Sequence, residues 1–318
     1  MMALVLIALV AGAASALMFA SIPSGVLISV FLKFLVPMPL MVAALAWGPS
    51  AALAGGLFAM LGLGLLADMT TAATFGIQVA LPAWWLGHLA LLGRPSPASA
   101  STSPGELEWY PVGRILVWAA ALASLIAIAV LFNQGTDAEA IVEMQRQKMA
   151  HLAQLFVGSS VSPNDPAISA LVAVVPVFVA MSSATLLIIN LWIAAKVTAT
   201  SGRLRRPWPE LRRTELPPMT MAALCLAIAF CFSGGMVALI AKSVTGALMM
   251  TYAMMGFAVV HTVTLALKQR LFVLCTTYVL VVLLTWAVLA MVVLGLADAV
   301  FGFRERFLRS RPPPLPTP

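Results

Sequence analysis

The sequence predicts an all-α fold: a polytopic transmembrane helical bundle of about eight to ten membrane helices with one amphipathic extracytoplasmic helix. The first observation is composition, since 62% of the residues are hydrophobic and 9% are charged, whereas a soluble domain has about 25% charged residues. The second is the spacing of charge, because Lys33 and Asp68 are the only formal charges between Met1 and Gly93. The third is that several apolar runs reach the roughly 20 residues needed to cross a bilayer. These features exclude a folded soluble domain.

Nine apolar runs define the predicted elements. They cover residues 3–22, 25–47, 50–67, 72–93, 112–132, 167–195, 219–241, 244–267 and 271–303. The first run resembles a signal peptide in its small and apolar residues, but it lacks a positively charged start, which favours a retained helix. The last run is too long for one ordinary span and too short for two full ones. A single tilted helix and two short helices in a hairpin are the alternatives, and a cytoplasmic C-terminus favours two.

Positive charge orients these helices. The loop 196–218 holds Lys196 and five arginines, which places it in the cytoplasm by the positive-inside rule. Counting crossings from this loop gives a multi-pass membrane protein with cytoplasmic N- and C-termini, a second cytoplasmic loop at 95–111 and an extracytoplasmic segment at 133–166. Residues 1–303 then form a single integral membrane domain, followed by a basic, proline-rich cytoplasmic tail at 304–318. The lipid bilayer is the predicted partner and nucleic acid is not, because the net charge of +7 comes mainly from these short loops.

The extracytoplasmic segment contains the predicted amphipathic helix. Thr136 and Glu139 fit the capping-box pattern of a helix start. After them, apolar residues and Lys148 recur at helical spacing. Such a helix is expected to lie on the outer face of the membrane.

Lys33 and Asp68 are the candidate solute-binding residues. Pro37 has no N–H, so the carbonyl of Lys33 loses its helical partner, and the second helix is predicted to kink or break there. Broken helices line binding sites in transporters, and an intramembrane charge is a functional candidate. The topology puts Lys33 and Asp68 on the same, outer side, where they would flank a small-molecule site. The alternative is that Lys33 extends to the outer interface and Asp68 only ends a helix.

A second group of polar residues is predicted at the cytoplasmic side. It consists of His88, Asn190, His261, Asp298 and Arg304. Polar side chains commonly bridge membrane helices, so a network that holds the helices together is favoured over a proton or partner site.

Small residues mark faces for close helix contact. Ala8, Gly12, Ala16 and Ala20 recur every four residues in the first helix, and the third helix contains adjacent glycines. Packing inside the bundle is favoured, while a membrane protein partner that docks on such a face is the alternative.

Motifs that mark nucleotide-binding sites, ATPases and hydrolases are absent from the chain or lie in the wrong context. The segment 62–67 matches G-x-G-x-x-A but lies inside a span, whereas a nucleotide loop follows a strand. A P-loop, HExxH and GxSxG are absent. The methionines near residue 250 are predicted to pack against neighbouring helices rather than to form a soft-metal site with Cys225 or Cys231. The sequence therefore predicts no ATPase, no enzyme, no cofactor and no metal.

Several phrases in order along the chain carry a family resemblance. They are LPAWWLG at 81–87, WYPVGR at 109–114, WP at 208–209 with LP at 216–217, and GLAD at 295–298 with FR at 303–304. Together they resemble the YybS-like family of predicted bacterial inner-membrane proteins. That family is distantly similar to the substrate-binding components of energy-coupling-factor transporters and to MreD-type proteins of cell-shape systems. The first similarity implies a bundle that captures a small solute from outside and docks an energising partner through small-residue helix faces.

Two functions follow from these features. The favoured one is a small-solute binding or transport-related membrane component without its own ATPase. The alternative is a non-transporting scaffold that anchors partners of cell-envelope or morphogenesis systems through the basic loop and the tail.

Overall fold

The computed structural model describes residues 2–21, 27–95, 107–157, 162–284 and 286–309, and these residues are almost entirely helical. Parts of the predicted 95–111 loop, the 133–166 segment and the 304–318 tail lie outside the described residues. The helices are α1 (Met2–Ala20), α2 (Leu27–Leu35), α3 (Met38–Trp47), α4 (Pro49–Leu66), α5 (Met69–Phe75), α6 (Leu81–Ala90), α7 (Val112–Gln134), α8 (Ala138–Val157), α9 (Pro166–Thr200), α10 (Met219–Phe230), α11 (Gly235–Val263), α12 (Arg270–Leu283), α13 (Ala287–Phe301) and α14 (Phe303–Arg309).

The all-α polytopic membrane bundle is confirmed. Within the described residues, 5 helices are long and apolar enough to cross a membrane, namely α1, α4, α7, α9 and α11. A sixth possible span combines α13 and α14, which meet at a bend of 63°. The other predicted spans correspond to shorter apolar helices such as α10 and α12, or to α2 and α3 on either side of a break.

Helix α11 lies at the centre of the bundle and is the most buried of the long helices. It packs against α7, α9 and α13. On the other side of the molecule, α1 packs along α4, where Gly12 lies against the backbone of Gly55. The small-residue face of α1 is thus used inside the bundle at Ala8 and Gly12, as the favoured interpretation predicted. This contact occupies two of the four residues, Ala8 and Gly12, that the alternative assigned to docking of an external partner.

The predicted break at Pro37 is present. Helix α2 ends at Leu35 and α3 begins at Met38. Pro37 and Pro39 lack N–H groups, so the carbonyls of Lys33 and Leu35 have no donor four residues later. The two residues between the helices, Val36 and Pro37, therefore belong to neither helix.

The predicted boundary between helices 219–241 and 244–267 is wrong. Helix α10 ends at Phe230, and α11 runs without interruption through Lys242. The break lies instead at Gly234 and Gly235, whose φ angles of 81° and 57° suit glycine far better than other residues. Lys242 therefore belongs to a central helix rather than to a turn.

Two further predictions concern local elements, and one local element was not predicted. The amphipathic helix is observed as α8, although Asp137 rather than Thr136 caps it, since the Glu139 N–H donates to Asp137 Oδ1 at 3.1 Å. The run 271–303 forms two helices, α12 and α13, as favoured. The residues flanking the 96–106 segment form a hairpin, β1 (Gly93–Pro95) with β2 (Leu107–Trp109), which the sequence did not predict.

The two ends of the bundle differ in charge. One, here named the basic end, carries the hairpin and the segment 201–218, and the Arg206 guanidinium donates there to the carbonyl of Ala90 at 3.3 Å. Burial lowers the pKa of Arg206. The opposite end, here named the α8 end, carries α8 and the turn between α10 and α11.

Candidate solute cavity and polar contacts

A large cavity lies at the α8 end, between α8 and the turn from α10 to α11. Its volume is about 690 Å³. Its lining is mostly apolar but includes four charged side chains. The lining residues are Ala138, Glu139, Val142, Glu143, Arg146, Cys231, Phe232, Gly234, Gly235, Ala238, Leu239 and Lys242.

Each of the two long walls is one stripe of a helix. On α8 the stripe runs from Glu139 to Arg146, and on α11 it runs from Gly235 to Lys242. Both stripes follow the i, i+3, i+4, i+7 spacing that places side chains on one helix face. The cavity is therefore the space between two facing helix surfaces.

The alignment of these stripes is set by contacts behind them. Ile141 of α8 belongs to the same buried cluster as Leu239 of α11. One turn further, Gln145 and Ser243 line a second, smaller cavity of about 20 Å³, a volume that suits one water. The two helices therefore run parallel along the cavity, each with its N-terminus at the same end. Arg146 and Lys242, the chain neighbours of Gln145 and Ser243, lie toward the same end.

The cations at this end have spare hydrogen-bonding capacity. An Arg146 Nη1 to Glu143 Oε2 distance of 3.7 Å forms an ion pair, but Arg146 Nε is buried without a hydrogen-bond partner. Lys242 is half-buried, and in the described parts of the chain nothing forms a hydrogen bond or ion pair with it. It lies two turns inside α11, about 10 Å from the start of that helix.

Lys33 and Asp68 are placed apart from this cavity. Lys33 is exposed, and the described contacts include no ion pair between it and Asp68, while Pro37 is buried at the α2–α3 break. Asp68 caps α5 by accepting hydrogen bonds from Thr71 N–H at 2.8 Å and Thr71 Oγ1 at 2.6 Å. These hydrogen bonds lower the pKa of Asp68, so its contribution to stability is present above the ordinary aspartate pKa and is lost as the pH falls through the lowered value.

Asn190 has a specific task at the helix break. Its side chain is 1% exposed, and its Nδ2 donates to the carbonyl of Phe34 at 2.7 Å and to that of Leu186 at 2.8 Å. The first bond joins α9 to the last turn of α2. It holds α9 against α2 next to the break, beside the two carbonyls that the prolines leave without a helical donor.

Replacing Asn190 with Leu is expected to lower the free energy of unfolding by about 1–2 kcal/mol, because the Phe34 carbonyl would lose a buried partner. The matched control is Thr185→Val, since Thr185 bonds only within α9, to Met181 O at 2.8 Å. Unfolding in mixed detergent and SDS micelles measures both. Equal effects of the two substitutions would contradict a specific role for Asn190 at the break.

Of the five residues in the predicted polar group, only Asp298 and Arg304 are brought together. Arg304 Nε donates to Asp298 Oδ2 at 2.6 Å, and Arg304 N–H donates to Asp298 Oδ1 at 2.9 Å. Arg304 Nη1 also donates to the carbonyl of Thr214 at 2.8 Å. His88 instead packs its ring near Trp85, with centroids 5.8 Å apart. His261 Nε2 lies 2.8 Å from Tyr278 Oη.

The chain was compared with protein families, curated proteins and solved structures. The model of DUF2232, described as a predicted membrane protein, matches residues 12–299. The chain belongs to this family. No curated protein and no solved structure showed a significant match.

The DUF2232 match covers every lining residue of the large cavity, the α2–α3 break and Asp298. It supports multi-pass membrane localisation and contact with the lipid bilayer. Arg304 lies just beyond the matched residues.

Sequence reasoning missed most of the charged residues of the cavity in this DUF2232 protein. The sequence pattern predicts only a capping role for Glu139. It predicts no role for Glu143, Arg146 or Lys242. Their signal was present, since Glu139, Glu143 and Arg146 share one face of an amphipathic helix and Lys242 interrupts a long apolar run. What the sequence does not show is that α8 and α11 lie face to face.

Proposed function

We propose that this protein is a small-solute binding, transport-related component of the bacterial inner membrane that has no ATPase of its own. The observation that carries the proposal is the cavity of about 690 Å³ between α8 and α11. Small-molecule sites typically have volumes of about 300–1,000 Å³, with apolar walls and a few placed polar groups. The volume of this cavity lies within that range, and its lining combines apolar residues with four charged side chains.

The orientation in this proposal rests on the positive-inside rule. By this rule, the arginines of the segment 201–218 and Arg94 favour a cytoplasmic location for the basic end and for the N- and C-termini. The α8 end then faces outward, so the cavity opens to the side from which an imported solute arrives. The YybS-like resemblance and the distant similarity to substrate-binding components of energy-coupling-factor transporters agree with this role. An energising partner protein would supply the ATPase that the sequence lacks.

Filling the cavity tests the proposal. In Ala138→Trp an indole projects from a lining position of α8, and a library of small solutes screened by thermal unfolding of the purified protein is expected to lose its stabilising members. The matched control is Ala140→Trp, an exposed position of α8 that is not part of the lining. It should retain them. Stabilisation of Ala138→Trp equal to that of the wild type would overturn the proposal.

The Lys33–Asp68 hypothesis is tested in the same screen. Lys33→Ala and Asp68→Ala are expected to keep the solute response, because both residues lie outside the lining of the cavity. Asp68→Ala should reduce thermal stability slightly through the loss of the α5 cap. Loss of the response in both variants would move the site to Lys33 and Asp68.

The scaffold role is the second candidate, and the basic end favours it. Arg205 and Trp208 are exposed there, and Arg304 ties this segment to α14 through the Thr214 carbonyl. A scaffold predicts that Arg205→Glu abolishes complementation of a deletion strain while Ala138→Trp does not. Solute binding predicts the reverse.

A further inference from the structure

We infer that the cavity between α8 and α11 takes a small zwitterion, with its anionic group against Lys242 and Arg146 and its ammonium group against Glu139. This inference rests on the proposed function and specifies its ligand class. The order of charge along the cavity is the observation behind it.

Charge is separated along the cavity. Glu139 lies at the first turn of α8 and Arg146 lies two turns later, a separation of about 10 Å along the helix axis. Because α8 and α11 advance in the same direction, Lys242 joins Arg146 at the far end. A ligand that spans the cavity therefore meets a carboxylate at one end and two cations at the other.

The cationic end can bind an anionic group. Lys242 is half-buried and forms no hydrogen bond or ion pair within the described residues, so its ammonium is free to pair with a ligand. Arg146 Nε is also buried and unpartnered. A carboxylate or phosphate in the cavity would accept hydrogen bonds from the Lys242 ammonium and from the guanidinium nitrogens of Arg146 that face the cavity, and such charge-assisted bonds are stronger than neutral ones.

A ligand with a single charge fits less well. Glu143 already pairs with Arg146 and lies between the two ends, and Glu139 has no side-chain partner within the described ranges. A simple anion would make no use of the exposed carboxylate of Glu139, and a simple cation would make no use of Lys242. The four charged side chains of the lining sum to zero, which suits a ligand that is neutral overall.

The same chemistry occurs in a free amino-acid-like solute and in the phosphoethanolamine headgroup of a lipid. Both carry an ammonium and an anionic group on a short spacer. Their sources differ, and reconstitution in defined lipid separates them.

The test uses the full-length protein in nanodiscs of phosphatidylglycerol alone. Glycine, γ-aminobutyrate and phosphoethanolamine are titrated by calorimetry, with butyrate and butylamine as singly charged probes. We expect at least one zwitterion to bind at least about tenfold more tightly than both singly charged probes, and Lys242→Met to weaken it by a similar factor. The matched control is Lys148→Met, an exposed lysine of α8 outside the lining, and it should bind as the wild type does.

Reversing one charge gives a readout that misfolding does not imitate. In Lys242→Glu the far end gains a carboxylate, so preference should shift from γ-aminobutyrate toward the diamine putrescine. Nanodiscs containing phosphatidylethanolamine identify the source: a headgroup ligand would compete with the soluble probes and be retained in native mass spectra, whereas a free solute would bind equally in both discs.

Failure of the inference and failure of the proposed function are distinguishable. Butyrate binding as tightly as γ-aminobutyrate, or no zwitterion binding at all, would overturn the zwitterion assignment. The proposed function stands in either case if some other solute stabilises the wild type and not Ala138→Trp. It falls only if no solute shows that difference.

Discussion

Replacing Arg304 with Met is expected to lower the free energy of unfolding by about 3–5 kcal/mol. Asp298 is 5% exposed and Arg304 is 9% exposed, so the substitution leaves a carboxylate buried without its charge partner. It also removes the donor to the Thr214 carbonyl, which frees the segment 201–218 from α14. Unfolding in mixed micelles measures the stability, and limited proteolysis after Arg205 reports the release of the segment.

Two variants control this prediction. Arg309→Met breaks an ion pair on the same helix, to Glu305 at 3.2 Å, but that pair is exposed, so the loss should stay below about 1 kcal/mol. The double variant Asp298→Leu, Arg304→Met removes both buried charges and should recover part of the loss. Equal losses from Arg304→Met and Arg309→Met would show that the buried ion pair stabilises the protein no more than the exposed one.

The sequence could predict that Asp298 and Arg304 lie at the same end of the bundle, but not that they pair. The pairing depends on Gly302, whose φ of 64° turns the chain between α13 and α14. That turn brings Arg304 N–H onto Asp298 Oδ1 six residues earlier. The further bond to Thr214 joins residues 90 apart in the chain, and no local pattern specifies such a contact.

The boundary between α10 and α11 shows where hydropathy is insufficient. Two places in the run 219–267 interrupt apolar character, one at Ser233 to Gly235 and one at Lys242 and Ser243. Dividing the run into spans of similar length favours the second. The helix breaks at the first because two successive glycines adopt positive φ, whereas lysine and serine keep helical geometry. Once Lys242 is inside a helix, its charge needs a polar surrounding, and the cavity provides one.

The break at Pro37 was predictable because its cause is local. A proline removes a specific donor, and the sequence states where. The hydrogen bond from Asn190 at this break was not predictable in the same way, since Asn190 and the Phe34 carbonyl that accepts the bond are 156 residues apart. Asn190 was expected in a cytoplasmic polar group, and the structure assigns it to the helix break instead.

Replacing Gly295 with Ala is the second large effect we expect. Helices α11 and α13 cross at Gly256 and Gly295, where backbone lies against backbone. A methyl group at Gly295 would overlap the carbonyl oxygen of Tyr252, and one at Gly256 would overlap that of Met291. Overpacking in a well-packed core costs about 1–3 kcal/mol. The upper part of that range applies here, because the obstructing atoms belong to helix backbone that cannot rotate away as a side chain can.

The matched control for Gly295→Ala is Gly62→Ala. Gly62 also lies in the interior of a helix, α4, but among the described residues no atom outside the neighbouring backbone of α4 lies within 4 Å of a methyl group built there. Helix propensity favours alanine over glycine by about 1 kcal/mol in water, so this variant should unfold at or slightly above the wild-type SDS concentration, whereas Gly295→Ala should unfold well below it. Because Tyr252 and Met255 lie on the same stretch of α11, separation of the helices at Gly295 would also loosen the contact between Arg304 and Met255 Sδ at 3.8 Å. The double variant Gly295→Ala, Arg304→Met should therefore lose less free energy of unfolding than the two single losses added together. Full additivity would show that the crossing and the buried ion pair stabilise the bundle independently.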